Sequence, residues 1–141
     1  MKVLRIRIPP LPRFAGTARR AFSDFAGFHH LRRIDAENLT FALGEAIANA
    51  ITHAGTCEEI ELFAAEAGDA IVVQIIDRGH GFTTTAERLA TLPSSLAENG
   101  RGFAIMQRCT DFFDVRSDPA SGTVVTLGRY RRDLQEAAPL S

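Results

Sequence analysis

A nearly continuous apolar run at residues 70–76 constrains the fold of this sequence more than any other feature. Such a run, rich in valine and isoleucine, predicts a strand near the centre of a sheet. A second strand is predicted at 58–65, and Gly68-Asp69 between the two is typical of a tight hairpin. The chain is therefore expected to fold around a sheet in which the strand ending at Asp77 is central.

Helical periodicity dominates the segment before this hairpin. One apolar stripe has spacings of 4, 3, 1, 3 and 3, and its members are Phe14, Ala18, Ala21, Phe22, Phe25 and Phe28. We expect these side chains in the core, with His29 and His30 at a solvated helix end. A second helix is predicted over 36–54, capped by Asp35 and ended by Gly55.

The remaining segments complete an α+β pattern. Residues 78–102 are rich in glycine, threonine and serine and predict a loop long enough to be functional in a small domain. A helix is predicted at 101–110. Further strands are predicted at 3–8, 112–116 and 123–131. This order predicts a two-layer sandwich, a mixed, mostly antiparallel sheet with helices on one face. We expect one domain over 1–132 and a short tail at 133–141.

Charge and hydropathy exclude two broad classes of protein. The 141 residues include 16 Lys+Arg and 17 Asp+Glu, and the net charge of −1 excludes nucleic-acid binding through bulk charge. No apolar run approaches the roughly 20 residues that a membrane helix needs. Arg5 and Arg7 also interrupt the apolar segment that a secretory leader would require. We therefore expect a cytoplasmic protein without a membrane partner.

The second helix carries a polar stripe that can bear chemistry. Glu45, Asn49 and His53 are four residues apart and share one face, away from the apolar stripe. A solvated polar face is the simpler interpretation of such a stripe. Against it, asparagine is unfavourable inside a helix, and small alanines around Asn49 would let a ligand approach the backbone.

Three glycine-containing segments follow. Asp77 ends the central strand, and Gly79 and Gly81 come directly after it, so a carboxylate could accept a hydrogen bond beside space for a ring. Residues 100–102, Gly-Arg-Gly, run into a helix N-terminus, which is a favourable phosphate site. Gly122-Thr123 opens the last strand. Each segment alone is also typical of an ordinary turn or linker.

Together, and in this order, the motifs resemble the nucleotide-binding fold of the gyrase, Hsp90, histidine kinase and MutL superfamily. Residues 45–54 look like its N box, and Asp77-x-Gly79-x-Gly81 looks like its first glycine box. Residues 100–103 and Gly122-Thr123 resemble the second and third boxes. Within the superfamily, the chain is most similar to the bacterial anti-sigma factor serine kinases. Phe103 departs from the pattern, because an aliphatic residue is commoner there.

The resemblance implies a Bergerat-type ATP-binding fold and a role for each matching residue. Asp77 would hold the adenine amino group, assisted by the Thr123 hydroxyl. Asn49 would ligate Mg²⁺, for which an amide oxygen is a suitable ligand. Glu45 would be the general base. The β- and γ-phosphates would be held by Gly100, Arg101 and Gly102.

The resemblance also implies partners: a sigma factor, a small antagonist of the STAS type as phosphate acceptor, and a second copy in a homodimer. Two alternatives remain open from the sequence. One is a module that binds the sigma factor under nucleotide control without phosphotransfer. The other is a histidine-kinase-like ATPase domain, which Glu45 weighs against because histidine kinases tend to lack a carboxylate at that position.

Overall fold

The computed structural model describes residues 2–53, 58–78, 103–118 and 122–131. They form five strands, three α-helices and one short 3-10 turn at Pro12–Phe14. The strands are β1 (Val3–Ile8), β2 (Ile60–Ala67), β3 (Ala70–Asp77), β4 (Phe112–Asp118) and β5 (Gly122–Tyr130). The helices are α1 (Ala15–Phe28), α2 (Arg33–His53) and α3, described over 103–108. None of the described helices has the length and apolar character needed to cross a membrane.

The five strands form one sheet in the order β1-β2-β3-β5-β4, with β3 in the middle as the apolar run predicts. All four pairings among these strands are antiparallel, and no parallel pair occurs within the described residues. Helix α1 packs against β1 and α2, and α2 packs against β3 and β5. The predicted α+β class, with helices on one face of the sheet, is confirmed.

The core lies between the sheet and the two long helices. Alternate residues of β3 are buried beneath the helices, and Leu39, Leu43 and Ile47 of α2 are buried against this layer. Phe22 and Phe25 of α1 are also fully buried, whereas Phe28 is 61% exposed, so its prediction as a core residue is wrong. Each step of three residues rotates a side chain by about 60° from the previous one, and two such steps carry Phe28 off the buried face.

The end of α1 is less solvated than expected. His29 is buried, and its Nδ1 lies 2.6 Å from Glu66 Oε1 at the end of β2. Arg131 donates to the same Glu66 oxygen. These interactions from His29 and Arg131 outweigh partial burial and hold the pKa of Glu66 below its usual value. The prediction of a solvated helix end holds for exposed His30 and is wrong for His29.

A buried ion pair connects α2 to the far end of β5. Asp35 has no exposed surface, and Arg129 donates to its Oδ1 at 2.6 Å while Arg32 donates to its Oδ2 at 2.9 Å. Arg129 also donates to the backbone carbonyl of Cys109, just after α3. The sequence predicts Asp35 as a helix cap, but α2 begins at Arg33, and the carboxylate pairs with two arginines instead.

The close approach of β5 to β3 explains why residue 122 is a glycine. Its φ is +97°, and an added Cβ would lie 2.0 Å from the carbonyl oxygen of Asp77. A side chain would therefore meet backbone, which cannot move aside as a flexible side chain can. Gly122 thereby lets the first residues of β5 pair directly with the last residues of β3.

We expect Asp35→Asn to lower the free energy of unfolding by about 3 kcal/mol at neutral pH, because it leaves the Arg129 charge buried without its counterion. Burial raises the pKa of Asp35, but its hydrogen bonds with Arg32 and Arg129 outweigh this and hold the pKa below its usual value. The wild type should therefore lose this stabilisation as pH falls through that lowered pKa. The difference in the free energy of unfolding between wild type and variant should then narrow. Denaturant titration of both proteins at several pH values measures this difference.

Asp114→Asn is the matched control, because it breaks an ion pair with Arg116 whose side chains are 55% and 84% exposed. Exposed pairs of this kind contribute little, so a change within about 0.5 kcal/mol is expected. Equal losses for Asp35→Asn and Asp114→Asn would contradict the buried role of Asp35.

Replacement of Gly122 by alanine should cost at least about 2 kcal/mol more than Gly68→Ala, because it adds a backbone clash to the strain of positive φ. Gly68, in the β2–β3 turn, has a φ of +60° and nothing within 4 Å of an added Cβ. Gly68→Ala therefore measures the cost of a side chain at positive φ without a steric clash. Thermal and chemical unfolding of both variants provide the measurement. Similar losses at the two positions would show that the predicted contact with Asp77 is relieved at little cost.

Candidate nucleotide site

Two of the predicted site residues meet at the junction of β3 and β5. Asp77 is the last residue of β3 and Thr123 the second residue of β5, and the two are paired across the strands. Asp77 is 8% exposed and Thr123 is 6% exposed. Strand alternation places both on the face of the sheet that α2 covers, together with buried Ile75 and Val125. A carboxylate and a hydroxyl are thus fixed side by side at the end of the central strands.

Ser117 joins this pair from the edge strand. It is opposite Thr123 in the β4–β5 register, and the two hydroxyl oxygens are 2.8 Å apart. The sequence pattern does not point to Ser117, because the predicted strand ends at residue 116. The alternation of Phe113, Val115 and Ser117 could have revealed a polar side chain on the same face as Thr123 if the strand had been extended.

The other two described candidates lie on α2. Glu45 and Asn49 are both half-buried and one turn apart, away from the fully buried face of the helix. Their exposed neighbours Phe41 and Ala48 leave this side of the helix open among the described residues. Glu45 and Asn49 thus border the buried face of α2, and the side chain of His53, the third member of the predicted stripe, lies outside the described part.

The Asp35–Arg129 contact is a reference point from which the position of Asn49 along the sheet can be estimated. Asn49 is 14 residues after Asp35, which is about 21 Å along a helix. Thr123 is six residues before Arg129, which is about 20 Å along a strand. Helix α2 packs against β3 and β5, and its buried Ile47 and Ala50 belong to the same core as Ile75 and Val125. For a helix that runs along these strands, the similar lengths put the Asn49 turn near the end of the sheet that holds Asp77 and Thr123.

Asn49 has the chemistry that a metal–phosphate group requires. Its Nδ2 is buried and has no hydrogen-bond partner within the described part of the chain. A buried amide N–H group without an acceptor is costly. An acceptor supplied by a ligand, such as a phosphate oxygen, would remove that cost. The carboxamide oxygen is a hard ligand suited to Mg²⁺. The residues present therefore fit the predicted cofactor.

The remaining predicted site residues cannot be compared with the structure. Gly79, Gly81, Gly100, Arg101 and Gly102 lie outside the described residues. The long loop predicted at 78–102 lies outside them as well, apart from Arg78. The described part of α3, residues 103–108, falls within the helix predicted at 101–110.

Comparison with known proteins agrees with this architecture. An anti-sigma F factor of Thermoanaerobacter sp. (strain X514) is 32% identical over 95 residues, covering 63% of this chain and 66% of that protein. A serine-protein kinase RsbW of Oceanobacillus iheyensis is 27% identical over 137 residues, covering 90% of this chain and 85% of that protein.

Among solved structures, the RsbU and RsbW domains of a Mycobacterium tuberculosis protein superpose with a TM-score of 0.72 at 22% identity. The match covers 94% of this chain and 34% of that one. This similarity shows the fold. The family model described as histidine kinase-like ATPase domain matches residues 8–129. With most of its length matched by that model, the chain belongs to the histidine kinase-like ATPase domain family.

Proposed function

We propose that this chain is an ATP-dependent protein serine/threonine kinase that also acts as an anti-sigma factor. The observation that carries the proposal is the buried Asp77–Thr123 pair on the sheet face covered by α2. A relative named anti-sigma F factor and another named serine-protein kinase RsbW support the regulatory role. Sigma-factor binding would place the protein in the cytoplasm.

The Asp77–Thr123 pair is suited to bind the adenine base. A carboxylate accepts hydrogen bonds only, so Asp77 would accept from the exocyclic amino group. Guanine has a carbonyl oxygen at the same ring position, and two acceptors would repel. Burial of both side chains strengthens this discrimination, because an unpaired polar group is costly away from water.

Glu45 is the proposed general base for an incoming hydroxyl. In the proposed reaction, the hydroxyl oxygen of a partner's serine or threonine bonds to the γ-phosphorus, the bond from that phosphorus to the bridging oxygen breaks, and ADP leaves. Glu45 accepts the hydroxyl proton. Mg²⁺ held at Asn49 would neutralise phosphate charge. Half-burial of Glu45 beside exposed Phe41 and Ala48 supports this role, because a protein substrate must reach the base.

The phosphate acceptor in this proposal is a small antagonist of the STAS type, and the second partner is a sigma factor. Gly100, Arg101 and Gly102 would bind the phosphates. The homodimer implied by the resemblance stays a prediction. A histidine-kinase-like role is less well supported, because Glu45 stands four residues before Asn49.

Wild-type protein should bind ATP with Mg²⁺ and prefer it to GTP, and Asp77→Asn should weaken ATP binding by about 2 kcal/mol through loss of a charged hydrogen-bond acceptor. Isothermal titration calorimetry measures both affinities. Asp114→Asn, an exposed aspartate on β4, is the control and should leave ATP binding unchanged. Absence of ATP binding by the wild type would refute the nucleotide site.

Glu45→Ala should leave the ATP dissociation constant nearly unchanged and lower phosphotransfer by about 10²–10⁴-fold, the usual contribution of a positioned base. The assay follows label from ATP onto the serine or threonine of the STAS-type antagonist that copurifies from the source organism. Glu37→Ala, two turns earlier on α2 and paired with Arg33, is the control and should transfer at the wild-type rate.

Two outcomes would change the proposal. If Glu45→Ala transfers phosphate as fast as the wild type, Glu45 is not the base. If the wild type binds ATP and a sigma factor but transfers nothing to the antagonist, the nucleotide-controlled binding module is correct instead.

A further inference from the structure

A row of three polar side chains crosses β3, β5 and β4 at the candidate site. Thr123 pairs with Asp77 on one side and with Ser117 on the other, and its Oγ1 is 2.8 Å from Ser117 Oγ. Ser117 is half-buried, on the same side of the sheet as α2. Adenine binding by Asp77 and Thr123 does not explain why the edge strand supplies a third polar group, the Ser117 hydroxyl.

The direction of the Ser117–Thr123 hydrogen bond decides what Thr123 offers to a ligand. A hydroxyl has one hydrogen, and either oxygen could be the donor in this pair. If Thr123 donates to Ser117, it presents only lone pairs to the site. If Ser117 donates, the hydrogen of Thr123 remains available for a ligand acceptor.

The edge of adenine distinguishes these two arrangements. Its amino group is a donor, and the adjacent ring nitrogen N1 is an acceptor. Asp77 supplies the matching acceptor, and Thr123 matches N1 only if its own hydrogen is free to donate. Hypoxanthine reverses both positions, with a carbonyl in place of the amino group and a hydrogen on N1. One direction of the Ser117–Thr123 bond therefore favours adenine.

We propose that Ser117 is a positioning residue for adenine recognition: its hydroxyl donates to Thr123 Oγ1 and leaves the Thr123 hydrogen for the ring nitrogen of the base. The proposal rests on the proposed ATP site and adds to it a residue that acts through Thr123. Ser117 sets which group of Thr123 faces the ligand, so its effect depends on the base bound. A purely structural hydrogen bond would have no such dependence.

The experiment compares the binding of ATP and inosine triphosphate (ITP) by calorimetry. Ser117→Ala should weaken ATP binding about three- to tenfold, the range for one hydrogen bond, because the Thr123 hydroxyl loses the partner that turns its hydrogen toward N1. It should not weaken ITP binding, because the freed hydroxyl can accept from the N1 hydrogen. The preference for ATP over ITP should fall by at least the factor lost for ATP. Ser117→Thr, which keeps a hydroxyl and suits a strand, should restore both affinity and preference.

A double mutant tests whether Ser117 acts through Thr123. Thr123→Val should also weaken ATP binding, and adding Ser117→Ala to it should change the affinity less than twofold. Thr126→Val is the matched control, because Thr126 is on the same strand but the opposite face, where Gln74 donates to its hydroxyl at 3.2 Å. It should leave the ATP-to-ITP preference intact. Thermal unfolding of each variant confirms that it is folded.

Three results would overturn the role of Ser117 while ATP binding by the wild type persists. They are unchanged ATP affinity in Ser117→Ala, equal losses for ATP and ITP, and additive losses in the double mutant. If the wild type binds neither nucleotide, the proposed ATP site itself fails, and the role of Ser117 fails with it. Failure of this inference is thus distinguishable from failure of the proposed function.

Discussion

The ion pair between Asp35 and Arg129 ties helix α2 to strand β5. Both groups are withdrawn from water, and a second arginine and the Cys109 carbonyl complete their hydrogen bonds. Close packing of the apolar core resists sliding of α2, and the Asp35–Arg129 pair adds a directional contact that is satisfied in one arrangement. Asn49, which belongs to the proposed site, is about 21 Å further along the same helix.

The second constraint is the order of the strands. β3 and β5 are neighbours in the sheet, although α3 and β4 lie between them in the sequence. Their antiparallel pairing brings the end of one strand to the beginning of the other, so Asp77 and Thr123 become partners despite their separation along the chain. Gly122 allows this approach, since any side chain there would meet the Asp77 carbonyl. Backbone pairing of the two strands thus brings together the two groups proposed to recognise the base.

Local patterns in the sequence predict the elements well, and the failures have long-range causes. The apolar run and the helical stripes identify β3, α1 and α2 because burial of one face leaves a local period. Asp35 is misread as a cap because its partner Arg129 is 94 residues away. His29 is misread as solvated because Glu66 covers it from another element. Ser117 is missed because a strand boundary is drawn too early, and strand ends carry the weakest signal.

The described site separates two tasks between two kinds of element. The groups proposed to recognise the base are buried, hydrogen-bonded and held on paired strands, so they are ordered before a ligand arrives. The proposed base for phosphotransfer is half-buried on a helix face with exposed neighbours, where a protein hydroxyl can approach. Loss of Glu45 would remove the proposed base for phosphotransfer and leave the Asp77 and Thr123 side chains in place. In this proposal a kinase and a nucleotide-controlled binding module could differ by a single side chain, because the groups proposed to recognise the base do not include Glu45.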